Sequence, residues 1–256
     1  MQFSRPLRAV LGSASNAADR VSRTVMYAHV ATLPARAFSD GLAAAWGAYN
    51  TNEEAIGAGW LPWEEAIAGE LLTPSTRVLL IGSGAGRDLV PMARSACRVT
   101  AVEPLAHLNA LASRALERHG VRARIETISI EEYVPREEFD VIWFSDRTYS
   151  YIPGRARRVA LLRRLLMHLS PAGTLVISCA VGAGPQNRLA PFARLVGRLF
   201  GSDWRVDERD VIARVGPGPA YAYMHAFAPG EAELEAAAAG LQTTATEHPG
   251  VFTASR

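Results

Sequence analysis

The stretch Val78-Leu79-Leu80-Ile81-Gly82-Ser83-Gly84-Ala85-Gly86, with Val99-Thr100-Ala101-Val102-Glu103-Pro104 following it, decides how this chain reads. Four apolar residues in a row suit a strand buried on both faces of a parallel sheet. The glycines then let the backbone turn sharply and come close to a ligand. A helix starting near Arg87 points its amide hydrogens at that ligand. Glu103 closes the next strand about 20 residues after the turn, the distance at which an acid accepts hydrogen bonds from ribose hydroxyls. The pattern implies a cofactor that contains adenosine.

Glycine spacing narrows the choice. A dinucleotide fingerprint G-x-G-x-x-G laid on Gly82 and Gly84 needs a third glycine where the chain has Arg87. The spacing here is G-x-G-x-G. With Glu103 ending the second strand, it resembles the first two motifs of the class I S-adenosylmethionine-dependent methyltransferases. Phe139-Asp140-Val141-Ile142-Trp143-Phe144 is similar to the family's fourth strand, and Arg157 to Leu169 followed by Ser170 to Ile177 to its next helix, turn and fifth strand. The resemblance spans residues 75–181 and resumes from 221 to the C-terminus. It implies an α/β fold with a doubly wound, mostly parallel seven-stranded sheet, and S-adenosyl-L-methionine as cofactor.

The same resemblance assigns the cofactor residues. Gly82, Ser83, Gly84 and Gly86 form the turn, Glu103 and Pro104 flank the ribose, Ser145 lines the methionine side, and Tyr49 reaches the methionine end from the segment before the first strand. Ser129 falls where the family often places an aspartate for the adenine amino group, and Ile130 lies against the ring. A serine accepts a hydrogen bond there without the strengthening charge. Leu80 is a second departure, because many relatives carry an acid at that point, near the methionine amino group.

Length and composition frame this reading. A chain of 256 residues, 49% hydrophobic, buries one large core. The formal charge of +2 argues against a nucleic-acid partner, which calls for a concentrated basic face. Every basic residue is arginine, which excludes lysine chemistry. Cys97 and Cys179 have no zinc-binding spacing and read as reduced core residues, so no metal is expected. No long apolar span or secretory leader is evident, and a cytoplasmic protein without a membrane partner is the expectation. Residues 1–72 read as an N-terminal arm and helical cap, the first ~35 of them mobile or loosely helical with Pro6 and Pro34 as interruptions. Residues 73–256 read as the core, with 182–220 as a helical, lid-like insertion after the fifth strand that ends in the loop Gly216-Pro217-Gly218-Pro219.

The loop Ser145-Asp146-Arg147-Thr148-Tyr149-Ser150-Tyr151 sits where open α/β sheets bind ligands. Asp146, Tyr149 and Tyr151 are polar enough to position an oxygen or nitrogen nucleophile, with Asp146 and Tyr149 the candidates for catalysis. The loop lacks the Asn/Asp-Pro-Pro-Tyr/Phe pattern associated with methylation of DNA or protein glutamine. His225 is the candidate general base, since histidine titrates near neutrality. Arg157, Arg163 and Arg164 read as the solvated side of an amphipathic helix. The sequence points to methyl transfer onto an oxygen or nitrogen of a small molecule by direct displacement, in which alignment of donor and acceptor supplies much of the rate. An NAD-dependent oxidoreductase and a non-catalytic adenosylmethionine-binding protein are the alternatives. Neither the acceptor nor the oligomeric state is written in the sequence.

Overall fold

A computed structural model of the chain describes residues 5–49, 59–95, 97–182, 187–215 and 221–256. Its strands are β1 (Arg77–Ile81), β2 (Arg98–Val102), β3 (Arg124–Glu126), β4 (Phe139–Phe144), β5 (Leu169–Ser178), β6 (Asp210–Arg214), β7 (Tyr221–His225), β8 (Gln242–Ala245) and β9 (Val251–Ser255). Its helices are α1 (Arg5–Thr32), α2 (Ala35–Tyr49), α3 (Pro62–Leu71), α4 (Leu89–Arg94), α5 (Ala106–Arg118), α6 (Arg155–Leu166), α7 (Ala190–Leu199) and α8 (Glu231–Ala238). Seven strands form one sheet in the order β3-β2-β1-β4-β5-β9-β8. β1 pairs in parallel with β2 (Val78 opposite Val99) and with β4 (Leu80 opposite Trp143), while β9 runs antiparallel to both β5 and β8. The sheet is therefore mostly parallel, as the sequence predicts.

The two-residue period of β1 divides the core. Leu79 and Ile81 face one layer with Ile142, Leu175 and helix residues Leu162, Leu165 and Ala236. Val78 and Leu80 face the other, with Trp143, Trp63, Leu89, Met92 and Leu116. A strand covered on both sides has no solvent face, which is why it reads as an unbroken apolar run. Cys97 and Cys179 are free and buried.

The N-terminal segment differs from its expected form. It is a helix of 28 residues, and its last turns are packed: Tyr27, Val30 and Ala31 join Phe38 and Leu42 of α2, Ala190 and Ala193 of α7, and Trp204, Ile212 and Tyr223 in a third core away from the sheet. Phe38 stacks on Trp204 at 4.6 Å between centroids. Pro34 acts as the boundary between α1 and α2 rather than as a sign of looseness. The insertion is also more than helical. Besides α7 it contributes β6, which pairs antiparallel with β7 from Asp210 opposite His225 to Arg214 opposite Tyr221. The segment expected as a simple approach to the last helix is thus a strand. The Gly216 to Pro219 loop lies outside the described residues. Among the described residues, no helix is long and apolar enough to cross a membrane.

Candidate active site

A cavity of about 520 Å³ opens at the crest of the sheet between β1 and β4, where the strand order changes direction. Ligands bind at such switch points because the loops leaving neighbouring strands diverge there. Its wall includes Gly82, Ser83, Gly84, Glu103, Pro104, Ser129, Ile130, Ser145 and Asp146. The expected residues from four separate loops therefore meet in one place.

The turn has a steric basis. Gly82 sits at φ +76°, and a Cβ added there would lie 2.7 Å from Thr148 Cγ2. Gly86, at φ +101°, would place a Cβ 3.2 Å from Ala112 Cα on α5. Gly86 does not line the cavity; it lets α5 pack against the turn. Gly84 donates its backbone N–H to Glu103 Oε2 at 3.2 Å, and Leu105 donates to Oε1 at 3.1 Å. Glu103 is thus pinned at the end of β2 with one acceptor site on each oxygen already used. An ionised carboxylate has about four such sites, so two remain for a pair of ribose hydroxyls. Burial pushes the pKa of Glu103 up, opposed by the two amide hydrogen bonds.

In the segment after β3, expected to frame adenine, Ile130 is buried and Ser129 half-buried. Arg164 anchors this loop by donating to the carbonyl oxygens of Ile130 and Glu131, and Arg157 pairs with Glu131 at 3.3 Å. These two arginines are structural ties, not the solvated face expected from helical spacing. Arg158, one position on, is fully buried and bidentate on Glu235 at 2.8 and 2.7 Å.

Of the three residues expected to act in catalysis, only Asp146 reaches the wall. Its Oδ1 accepts from Ser178 Oγ at 3.2 Å, and that hydroxyl in turn accepts the Arg147 N–H at 3.1 Å. Arg147 holds a left-handed φ of 57°, unusual for a residue with a side chain. Tyr149 is fully buried, stacked on Phe227, with its hydroxyl donating to Glu235 Oε2 at 2.8 Å. Burial and the neighbouring carboxylate push its phenol far up, so it holds its proton. His225 is 1% exposed and clamped between Asp210 (2.8 Å) and Glu231 (3.0 Å). Burial works to lower its pKa, but these carboxylates outweigh it and hold the ring above its ordinary value. Neither Tyr149 nor His225 faces the cavity, because each side chain is turned into a buried polar network. The side chain of Tyr49 lies outside the described residues.

Several wall residues escape a sequence reading. Arg36, Ser39 and Asp40 of α2 close one side. Arg87 donates to both oxygens of Glu64 on α3, which is itself fully buried. Asp88, two residues past Gly86, is 1% exposed. Ser39, Ser83, Asp88 and Arg157 all line this cavity, and each carries a buried side-chain nitrogen or oxygen without a hydrogen-bond partner. Each such orphan costs about 1–3 kcal/mol. A ligand bearing hydroxyl, ammonium and heterocyclic nitrogen groups relieves that cost, and S-adenosylmethionine carries all three.

Residues 78–173 match the family model described as a methyltransferase domain. The curated proteins contain no match to the sequence. Among solved structures the chain is similar to an amino pentose methyltransferase from Micromonospora echinaspora with S-adenosylmethionine bound (18% identity, 82% of this chain and 96% of that one, TM-score 0.54). It is also similar to a sugar N-methyltransferase from Streptoalloteichus (16% identity, 76% and 85%, TM-score 0.52). A third is a glycopeptide N-methyltransferase complexed with S-adenosylmethionine (16% identity, 80% and 88%, TM-score 0.53). At these identities the structural likeness concerns the fold. The family match lies over the glycine turn, Glu103 and β4, the same stretch that builds much of the cavity wall, so residues 78–173 carry a methyltransferase domain.

Proposed function

We propose that the enzyme methylates an oxygen or nitrogen of a small molecule. The observation that carries this reading is that Asp146 borders two cavities at once. One is the cofactor cavity; the other, of about 560 Å³, is walled by Leu61, Pro62, Trp63, Val181, Met224 and Pro249, with Ser178 and His248 among its polar groups. A recess of that size, lined by apolar side chains and several polar groups, suits a small ligand. The sugar and amino pentose methyltransferases of similar fold agree with such an acceptor. We read residues 1–72 and 182–220 as a cap that selects the acceptor over a core of residues 73–256.

S-adenosylmethionine, when bound, supplies a methyl group on a positively charged sulfur. The chain's task is then alignment. Asp146, steadied by Ser178, would accept a hydrogen bond from the acceptor's N–H or O–H and turn a lone pair toward the crest. As the methyl's bond to sulfur breaks and its bond to that nitrogen or oxygen forms, the acceptor's proton would pass to Asp146 and on to solvent, with the thioether S-adenosylhomocysteine as the leaving group. No strongly basic group is required, which accords with His225 and Tyr149 being committed elsewhere. The test is formation of S-adenosylhomocysteine from S-adenosylmethionine against a panel of amino sugars, small amines and small alcohols. Turnover with a member of the panel, falling about 10²-fold in Asp146→Ala with cofactor affinity kept, is the expected result. Turnover only with nucleic acid or protein overturns the reading.

A further inference from the structure

The amino-acid end of the cofactor needs a negative charge for its ammonium, and strand β1 offers none. Leu80 is fully buried in the apolar layer. Asp88 occupies a different place with an unusual set of neighbours. It stands at the N-cap of α4, where an aspartate ordinarily accepts a hydrogen bond from an amide of the first turn. It makes no such bond. At 1% exposure it lines the cavity beside Ser83 and Ser145; neither carboxylate oxygen has a partner at hydrogen-bond geometry, and the Ser145 hydroxyl only partly offsets its burial.

Its neighbours do not satisfy it. Arg87 forms only a long ion pair with it, Nη2 to Oδ2 at 3.8 Å and beyond hydrogen-bonding distance, while its recorded hydrogen bonds go to Glu64 and the Gly59 carbonyl. The other acids on the wall are placed for other duties. Glu103 is held by two amides at the ribose end, Asp146 is bonded to Ser178, Glu131 is paired with Arg157 and Glu132 with Arg36, and Asp40 is exposed on α2. With ribose at Glu103 and adenine at Ile130, the remaining third of the cofactor falls over the crest between Gly82 and Ser145, where Asp88 stands.

We propose that the Asp88 carboxylate receives the α-ammonium of the cofactor's amino-acid end, a charge-bearing contact moved off strand β1 onto the start of α4. The contact supplies Asp88 with the donors it lacks and makes the site selective for the whole amino-acid nucleoside over a bare thioadenosine. Burial, which pushes the Asp88 pKa up to about 6, agrees with a carboxylate lacking donors. The inference rests on the cofactor assignment and is independent of which acceptor is methylated.

The experiment is calorimetric titration of the intact protein and of Asp88→Asn with two ligands, S-adenosylhomocysteine and methylthioadenosine. The second has the same adenosine and thioether and no amino-acid group. Asp88→Asn is expected to weaken S-adenosylhomocysteine by about 10- to 100-fold, as loss of a charge-assisted contact does, and to leave methylthioadenosine within about twofold. Unchanged binding of S-adenosylhomocysteine overturns the proposal. An equal loss for both ligands also overturns it, since that is what a merely structural residue would cause. Should the variant not fold, the unaltered protein is titrated with deaminated S-adenosylhomocysteine, and affinity equal to that of the parent compound overturns the proposal. If the unaltered protein binds none of these ligands, the cofactor assignment falls and this inference with it.

Discussion

Glu103 and Asp88 are buried carboxylates on one cavity wall with opposite surroundings. Glu103 accepts two backbone amides, whereas Asp88 accepts none. Glu103→Ala removes the clamp on Gly84 and, with it, the proposed ribose contact. Binding of S-adenosylhomocysteine measured by calorimetry is expected to weaken at least about tenfold, the lower end for hydrogen bonds to a charged group. Asp88 gives a pH signature. Burial and the Glu64 charge raise its pKa, while Arg87 and Ser145 oppose them, and the result is a value of about 6 against an ordinary 3.8. A carboxyl raised by folding favours the folded state below its unfolded pKa, and that contribution is withdrawn as pH rises through the folded value. Cofactor binding requires the ionised form. Affinity for S-adenosylhomocysteine should therefore fall as pH drops below about 6, with a smaller fall in Asp88→Asn. These two acids also mark the limits of sequence reading. Glu103 is legible because its role follows from a fixed distance after a glycine turn. Asp88 is not, because its missing partners emerge only when Glu64 from α3 takes Arg87.

At the scale of elements, local patterns reveal what local forces build. The apolar runs of β1 and β4 and the helix from 106 to 118 are visible because each buries residues at its own period. The packing of α1 depends on residues far away. Tyr27 donates its hydroxyl to the Asp210 carbonyl at 3.4 Å and accepts the Ile212 N–H at 3.2 Å, contacts no window of neighbouring residues could reveal. His225 misleads for the same reason. Its suitability as a base is a property of the residue type, but pairing of β7 with β6 brings Asp210 to its ring. The ring then ties β6 and β7 to Glu231 at the start of α8, with Arg209 at 3.9 Å from that carboxylate and Arg158 opposing protonation. A histidine raised above its usual 6.5 stabilises the fold fully below that value and loses this contribution as pH rises through the folded pKa. The gap in melting temperature between the unaltered protein and His225→Gln should be widest at mildly acidic pH and narrow as the solution becomes alkaline. A gap that widens with pH would contradict this account, since the ring would then be stabilising as the neutral form.

For the whole molecule, the sheet order places the ends of β1, β2 and β4 around one cavity, so a turn, an acid and a loop distant in sequence become neighbours. That arrangement is inherent in parallel strands joined by crossovers, which is why fold and cofactor could be read together from two short motifs. The wall supplied by α2 could not, because α2 is held by the third core and not by the sheet. The most direct test of the account is a crystal structure with S-adenosylhomocysteine bound. The account predicts ribose hydroxyls on Glu103, adenine against Ile130, and sulfur above the Gly82 turn facing Asp146. A ligand found elsewhere, or lying in this cavity with its sugar away from Glu103, would contradict it.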